Sequence, residues 1–535
     1  MSSPTEATTE GGSQEAGPNG AEDSNSLLRK RIGLVLGLVA AAALYFLMPD
    51  IVPPLADGAA GDVRAEELEA LGLTPDTPAH LARATAAVAA LMAVWWMTEA
   101  IPLPATALLP LVLFPLLGVA EIGAAASPYA NNLIFLFMGG FMLALAMQRW
   151  NLHRRIALTI VSWVGFSPNM LIAGFMLATA FITMWVSNTA TTIMMLPIGI
   201  SVLALVAQNR GGHTDANFAT ALLLGIAYAS SIGSVSTLIG TPPNVFMAGY
   251  LAENHDIHVS FGQWMLIGVP LAAVFLVICW FVLTRLIFPP KISELEGGRE
   301  LIREQLREMG PMSRGERIVL TVFASAALAW ILNSTLQSID AVLEIAPWLE
   351  MVDDAGIAIA VALVLFVLPV EGRRGTPVLD WATAAQLPWG ILLLFGGGLT
   401  LSVQFEDSGL SAWIGERVAF LSGVPGWVLI LAVAGIVLLL TELTSNTATA
   451  NIFIPIMAAV AIGMHLDVMA LVIPAALAAS LAFMLPVATP PNAIVFGTGH
   501  IKISQMVRAG VWLNIIAVGL ILGVMYTLAS WVYGV

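Results

Sequence analysis

The chain has 535 residues, with 21 Lys plus Arg against 35 Asp plus Glu and a formal net charge of −14. Charged residues make up 10% and apolar residues 58%, with a mean hydropathy of +0.87, so there are too few charges to clothe the several water-facing domains this length would otherwise imply. The lone Cys279 excludes a disulfide framework and any Cys-based metal cluster, and an acidic balance without a basic patch argues against a nucleic-acid partner.

These proportions describe an all-α polytopic membrane protein. Residues 1–26 are rich in Ser, Thr, Gly, Glu and Pro and are expected to form a disordered acidic tail. Lacking a basic start, the tail does not read as a cleavable signal. Arg29-Lys30-Arg31 abut the apolar run 32–48, so 27–80 reads as a first span, its basic end in the cytoplasm, followed by an outer loop. Further apolar segments lie near 82–100, 102–119, 132–148, 168–206, 218–250, 264–286, 316–336, 355–370, 387–404, 425–464, 468–499 and 508–534. Two of them, 168–206 and 425–464, are about twice a span, and each carries Ser-Asn-Thr near its middle. Two others, 218–250 and 468–499, exceed one span and are interrupted by Thr-Pro-Pro-Asn.

If the double-length stretches return to the side they entered, the chain makes eleven crossings with two re-entrant hairpins. The N-terminus is then cytoplasmic and the C-terminus external, in the plasma (inner) membrane. The basic residues agree. Only Arg64, Arg83 and Arg417 fall in outer loops, and the other eighteen of the 21 lie inside or at that boundary, as the positive-inside rule asks.

The chain also repeats itself. "LIFLFMGGFMLAL" (133–145) aligns with "ILLLFGGGLTLSV" (391–403), and "MWVSNTATTIMMLPI" (184–198) with "ELTSNTATANIFIPI" (442–456), both at an offset of 258. Thr241-Pro242-Pro243-Asn244 aligns with Thr489-Pro490-Pro491-Asn492 at 248. A first repeat, 81–286 with hairpin 168–206, is thus joined by a linker, 287–315, to a second repeat, 316–535 with hairpin 425–464. The hairpins enter from opposite sides, so the repeats are inverted. Inverted repeats with interrupted helices at matching positions point to a secondary transporter with its site near mid-membrane.

The motif chemistry fits that reading. A Ser-Asn-Thr between two helix arms exposes carbonyls at one helix end and amide N–H groups at the other. The N–H groups and the helix dipole attract an anion, while carbonyls, hydroxyls and Asn amide oxygens suit a small hard cation. Pro242 and Pro490 remove backbone donors and free upstream carbonyls. Two facing half-sites would hold an extended dianion beside two monovalent cations. Neither hairpin has Lys, Arg or His before its Ser-Asn-Thr, so the countercharge must come from elsewhere, most simply from Na+. Glu442 is ionisable at membrane depth, either as a proton or cation relay or, the favoured reading, as a carboxyl pinning the second hairpin by hydrogen bonds. Glu99 reads as a fold-holding boundary residue and His153 as interfacial.

The paired Ser-Asn-Thr and Thr-Pro motifs, "WWMTEAIPLPATALLP" (95–110) and "NNLIFLFMGGF" (131–141) together resemble the divalent anion–sodium symporters over roughly residues 80–535. The resemblance implies a homodimer whose protomers each carry a scaffold domain and a transport domain that moves like an elevator. It implies a first sodium site at Thr183, Ser187, Asn188 and the carbonyl of Gly240. A second is implied at Thr441, Thr444, Asn446 and the carbonyl of Ala488. Substrate carboxylates would meet Asn188, Thr189, Thr241, Pro242, Asn446, Thr447, Thr489 and Pro490. Ser234 and Ser236 stand where the family more often has glycine.

The expected function is sodium-coupled symport of C4-dicarboxylates (succinate, malate or fumarate) into the cell. The alternatives are a sodium-independent exchanger and a sulfate or citrate carrier of the same fold. An enzyme is not expected, since the spans carry no His-Glu-x-x-His, paired aspartates or Ser/His pair of an intramembrane protease. The short linker, with its amphipathic "ELIREQLREM" (300–309), leans toward carboxylates, because sulfate-type relatives often carry a large insert between the repeats.

Overall fold

The computed structural model describes residues 19–48, 80–210, 213, 215–292, 297–370 and 375–535. Among them the regular structure is helical, apart from an isolated bridge between Pro369 and Pro377. Among the described residues ten helices are long and apolar enough to cross a membrane, the pattern of a multi-pass membrane protein. The first helix runs Asn19–Leu47, so the stretch expected as a tail is helical from residue 19. Residues 1–18, and the outer loop from 49 to 79, lie outside the described residues.

The expected apolar segments resolve into helices whose ends follow local chemistry. The segment 102–119 is two short helices, Leu103–Thr106 and Leu109–Leu116, each with a proline in its first turn, where the missing N–H costs nothing. The double-length stretches are helix–turn–helix units, Pro168–Thr183 with Asn188–Asn209 and Gly426–Thr441 with Asn446–Gly463. The two Thr-Pro-Pro-Asn segments are broken helices, Ala216–Ser234 then Pro242–His255 and Met469–Ser480 then Pro490–Phe496. Leu152–Val164 forms a further helix. It is too short and too polar along one side to register in a 20-residue apolar window.

The two repeats interlock. Helix Asn132–Arg149 packs on Asp354–Val367, and its repeat partner Trp389–Asp407 packs on Leu103–Thr106. Gly139 and Gly397, 258 residues apart, make both approaches possible. A Cβ on Gly139 would lie 2.6 Å from the Ala358 carbonyl carbon, and one on Gly397 would overlap the Ala107 carbonyl oxygen. The first halves of the broken helices form the centre, with every residue from Phe218 to Ser234 and from Leu471 to Ser480 buried. Around them the repeats exchange partners. Asn188–Asn209 packs on Pro490–Phe496, while Asn446–Gly463 packs on Pro242–His255.

Polar ties join the helix ends. Arg155 donates from Nε to Glu316 Oε1 at 2.6 Å and reaches the carbonyls of Gly310 and Met309. Glu316 also completes a capping box with Ser313. Arg149 pairs with Asp380 at 2.6 Å, and the Thr383 N–H and hydroxyl, together with this guanidinium, hold the Asp380 carboxyl below its usual range. Glu99 pairs with Arg29 at 3.3 Å, in keeping with a boundary role. His153, expected at the interface, is buried with its Nδ1 3.1 Å from the Met147 carbonyl oxygen.

Candidate functional site

Each helix–turn–helix unit breaks over four residues, 184–187 and 442–445, before the next helix starts at the asparagine of Ser-Asn-Thr. In the first, Ser187 caps the new helix by accepting from the Ala190 N–H, and Thr183 Oγ1 donates to Asn188 Oδ1 at 2.8 Å. In the second, Thr441 Oγ1 donates to Asn446 Oδ1, also at 2.8 Å. The pairs are related by the 258-residue offset. Each places two neutral oxygens side by side at a helix break, and rotation of the threonine proton leaves both free to face one hard cation.

The broken helices repeat the same logic. Thr241 and Thr489 are extended, at φ −144° and −141°, and each precedes a proline at the first helical position. Asn244 spans the first break by donating from Nδ2 to the Val235 and Thr237 carbonyls, and Asn492 spans the second by donating to those of Ala482 and Leu485. Gly240 lies so close to the Ser234 carbonyl oxygen that no Cβ fits there, and Ala488 occupies the corresponding place in the second break.

Contacts join the halves. Asn188 Nδ2 donates to Ser234 Oγ at 3.3 Å, and the single Thr441 hydroxyl proton has the Ala479 carbonyl, 2.9 Å away, as an acceptor alternative to Asn446. The neighbouring Ser480 Oγ lies 3.4 Å from Thr241 Oγ1, so the first break touches the second broken helix where that helix meets the Thr441–Asn446 pair. Not every expected residue converges this way. The Thr444 hydroxyl lies 2.7 Å from that of Thr449 and donates to the Leu440 carbonyl, so it is engaged within its own turn. Asn188, Thr189, Ser187, Pro242 and Asn446 are half-buried, Thr447 is buried, and Pro490 is exposed.

The two breaks are held differently. Trp264 donates from Nε1 to the Val235 carbonyl at 3.0 Å, satisfying an acceptor in the first. In the second, the Glu442 carboxylate accepts from the backbone N–H groups of Phe483, Met484 and Leu485 at 2.7–3.1 Å, and from Asn514 Nδ2 at 2.7 Å. All four partners are donors, so the carboxyl anchors otherwise orphaned N–H groups.

A family profile described as the sodium:sulfate symporter transmembrane region matches residues 73–535. The chain belongs to the divalent anion–sodium symporter family. It is 42% identical over 449 residues to a protein of Staphylococcus saprophyticus named sodium-dependent dicarboxylate transporter SdcS, covering 83% of this chain and 85% of that one. The Staphylococcus aureus protein of the same name is 41% identical over 451 residues, with the same coverage. Among solved structures, the YdaH transporter of Alcanivorax borkumensis aligns over 82% of this chain and 97% of its own, with a TM-score of 0.56 at 16% identity, a likeness of fold alone.

This family member also recruits residues that sequence patterns did not single out. Ser480, Thr237 and Asn514 lie far in sequence from the groups they touch. Thr237 Oγ1 donates to the Met184 carbonyl, fixing the first turn against the first break. Ser234 is the acceptor for Asn188.

Proposed function

We propose that the chain is a sodium-coupled symporter that carries C4-dicarboxylates such as succinate, malate or fumarate into the cell by alternating access. The observation that carries this reading is the duplicated Thr–Asn oxygen pair, Thr183–Asn188 and Thr441–Asn446, each at a helix break. Family membership and the names of the staphylococcal relatives support sodium and a dicarboxylate as the ligands. One Na+ sits with Thr183, Ser187, Asn188 and the Gly240 carbonyl. The other sits with Thr441, Thr444, Asn446 and the Ala488 carbonyl, the Thr444 hydroxyl turning from Thr449 to the ion. The substrate's two carboxylates meet the helix starts at Asn188-Thr189, Thr241-Pro242, Asn446-Thr447 and Thr489-Pro490, where free N–H groups and dipoles favour anions.

Both first arms have 16 residues, about 24 Å of helix, against a hydrocarbon core of about 30 Å. That shortfall supports re-entrant hairpins, although the second arms, of 22 and 18 residues, are long enough to cross. The charge asymmetry and the family resemblance support eleven further crossings with a cytoplasmic N-terminus and an elevator-type transport domain in a homodimer. Burying two carboxylates against dipoles and hydroxyls alone is costly, so sodium binds first and substrate affinity rises with it. By reciprocity the substrate tightens sodium binding by the same factor.

The test is uptake of radiolabelled succinate into proteoliposomes under an inward Na+, K+ or choline gradient. Uptake only with Na+, weakening as pH falls through succinate's second ionisation, is the expected result. Sodium-free, acid-stimulated uptake refutes the proposal.

A further inference from the structure

We propose that the face carrying Arg149, Arg154 and Arg155 binds an anionic phospholipid, with its acyl chain in an apolar groove and its phosphate in the adjoining arginine-lined cavity. The groove, about 670 Å³, is walled by Ile156, Ile160 and Trp163 of helix Leu152–Val164, Phe181 of the first arm, and Leu320 and Phe323 of helix Arg314–Gln337. It opens outward, with Trp163 80% exposed. Beside it lies a polar cavity of about 460 Å³ whose lining includes Arg149, Asn151, Arg154, Ser313 and Glu308. Arg155 lines both. Its aliphatic stem suits the groove while its guanidinium bonds Glu316 on the polar side.

An apolar trough that ends at a basic cavity on a membrane protein has the shape of an amphiphile. A soluble anion would leave the groove unused, and a lipid without net charge would leave the arginines unused. The three arginines lining the cavity are balanced by Glu308 and Glu316 of the same lining and by Asp380, which pairs with Arg149. Arg149 is taken by Asp380 and Arg155 by Glu316, but Arg154 makes no ion pair or hydrogen bond among the described residues, which leaves it to meet the phosphate. Basic pockets between membrane helices on the cytoplasmic side recognise anionic headgroups, and the positive-inside reading puts these arginines there. The proposal rests on the membrane reading but not on transport, so its test reads binding.

Purified protein is delipidated in a neutral detergent and titrated with phosphatidylglycerol, with phosphatidylethanolamine, or with sn-glycerol 3-phosphate. Bound lipid is counted by native mass spectrometry and stability is followed by thermal melting. Phosphatidylglycerol should bind and raise the melting temperature, while the other two do neither. Arg154→Gln should weaken it about fivefold, the contribution of one arginine near an anionic headgroup. Leu320→Trp, which fills the groove, should weaken it through the acyl chain. Arg303→Gln, an exposed linker arginine outside the cavity, should leave binding unchanged. Equal binding of both phospholipids, stabilisation by glycerol phosphate alone, equal loss in Arg303→Gln, or undiminished binding in both Arg154→Gln and Leu320→Trp would each overturn the proposal.

Discussion

Replacing Glu442 with glutamine tests how the second break is held. The carboxylate takes Phe483, Met484 and Asn514 on Oε1, and Met484 and Leu485 on Oε2. An amide keeps one acceptor oxygen. If that oxygen stays with Phe483 and Asn514, the new NH2 faces the Leu485 N–H, which loses its acceptor, and the Met484 N–H loses one of two. One orphaned buried donor costs about 1–3 kcal/mol, and losing a charge-assisted partner adds a comparable amount, so the expected destabilisation is about 2–6 kcal/mol. Asn514→Leu removes one of the same bonds and should cost about 1.5–3 kcal/mol. Because both act on one network, the double variant should be less destabilised than the sum of the single ones. Since Ala488 closes the same break, Glu442→Gln should also raise the sodium concentration for half-maximal uptake while symport remains sodium-driven. The assay is chemical denaturation in detergent paired with sodium-dependent succinate uptake in proteoliposomes. Unchanged stability together with an unchanged sodium dependence would refute the anchoring role. Acid-driven, sodium-free uptake that vanishes in Glu442→Gln would establish a proton relay in its place.

Asn188→Ala or Asn446→Ala removes one oxygen of a Thr–Asn pair and one helix-start amide, and should abolish sodium-dependent uptake while leaving a folded protein by size-exclusion chromatography; retained uptake with normal sodium dependence contradicts the assignment. Gly397→Ala forces a methyl onto the Ala107 carbonyl and should cost about 1–3 kcal/mol, read as a lower melting temperature, whereas Gly435→Ala, where a Cβ has open space, should melt like the parent. The Asp380 carboxyl is depressed when folded, so its stabilising effect is complete above the usual carboxylate range and is lost as pH falls through the folded value. Asp380→Asn should flatten that acid limb of the melting-temperature profile.

The constant offset of 258 marks both Ser-Asn-Thr turns in the sequence itself, because a duplicated motif in register is a global signal carried by local residues. The broken helices were legible for the same reason, since Thr-Pro-Pro-Asn marks a helix start within a hydrophobic run too long for one span. Helix Leu152–Val164 was not, because an apolar window averages away a short helix with one polar face. The division at Ala107 and Leu108 was likewise hidden inside a continuous apolar segment. Within the site, Thr183 and Thr441 lie five residues from their asparagine partners. Ser480 meets Thr241 across 239 residues and Asn514 meets Glu442 across 72, pairings that no periodicity encodes. Glu442 stood out as an ionisable group in a span, but the N–H groups it satisfies appear only once the break at 481–489 is seen.

The Glu442 anchor has an electrical consequence. A dianion with two Na+ is a neutral load, yet the part of the protein around the second break carries a carboxylate whose hydrogen-bond partners are all neutral. If that part travels across the membrane in an elevator stroke, it drags a negative charge through the field with the site full or empty. Moving one elementary charge through 100 mV is worth about 2.3 kcal/mol, enough to bias both strokes in opposite senses. The voltage sensitivity of uptake would then not be a count of sodium ions. A carrier with an electroneutral cycle would still respond to membrane potential in its individual steps, and only a reversal potential, which cancels the carrier's own charge over a full cycle, would report the stoichiometry.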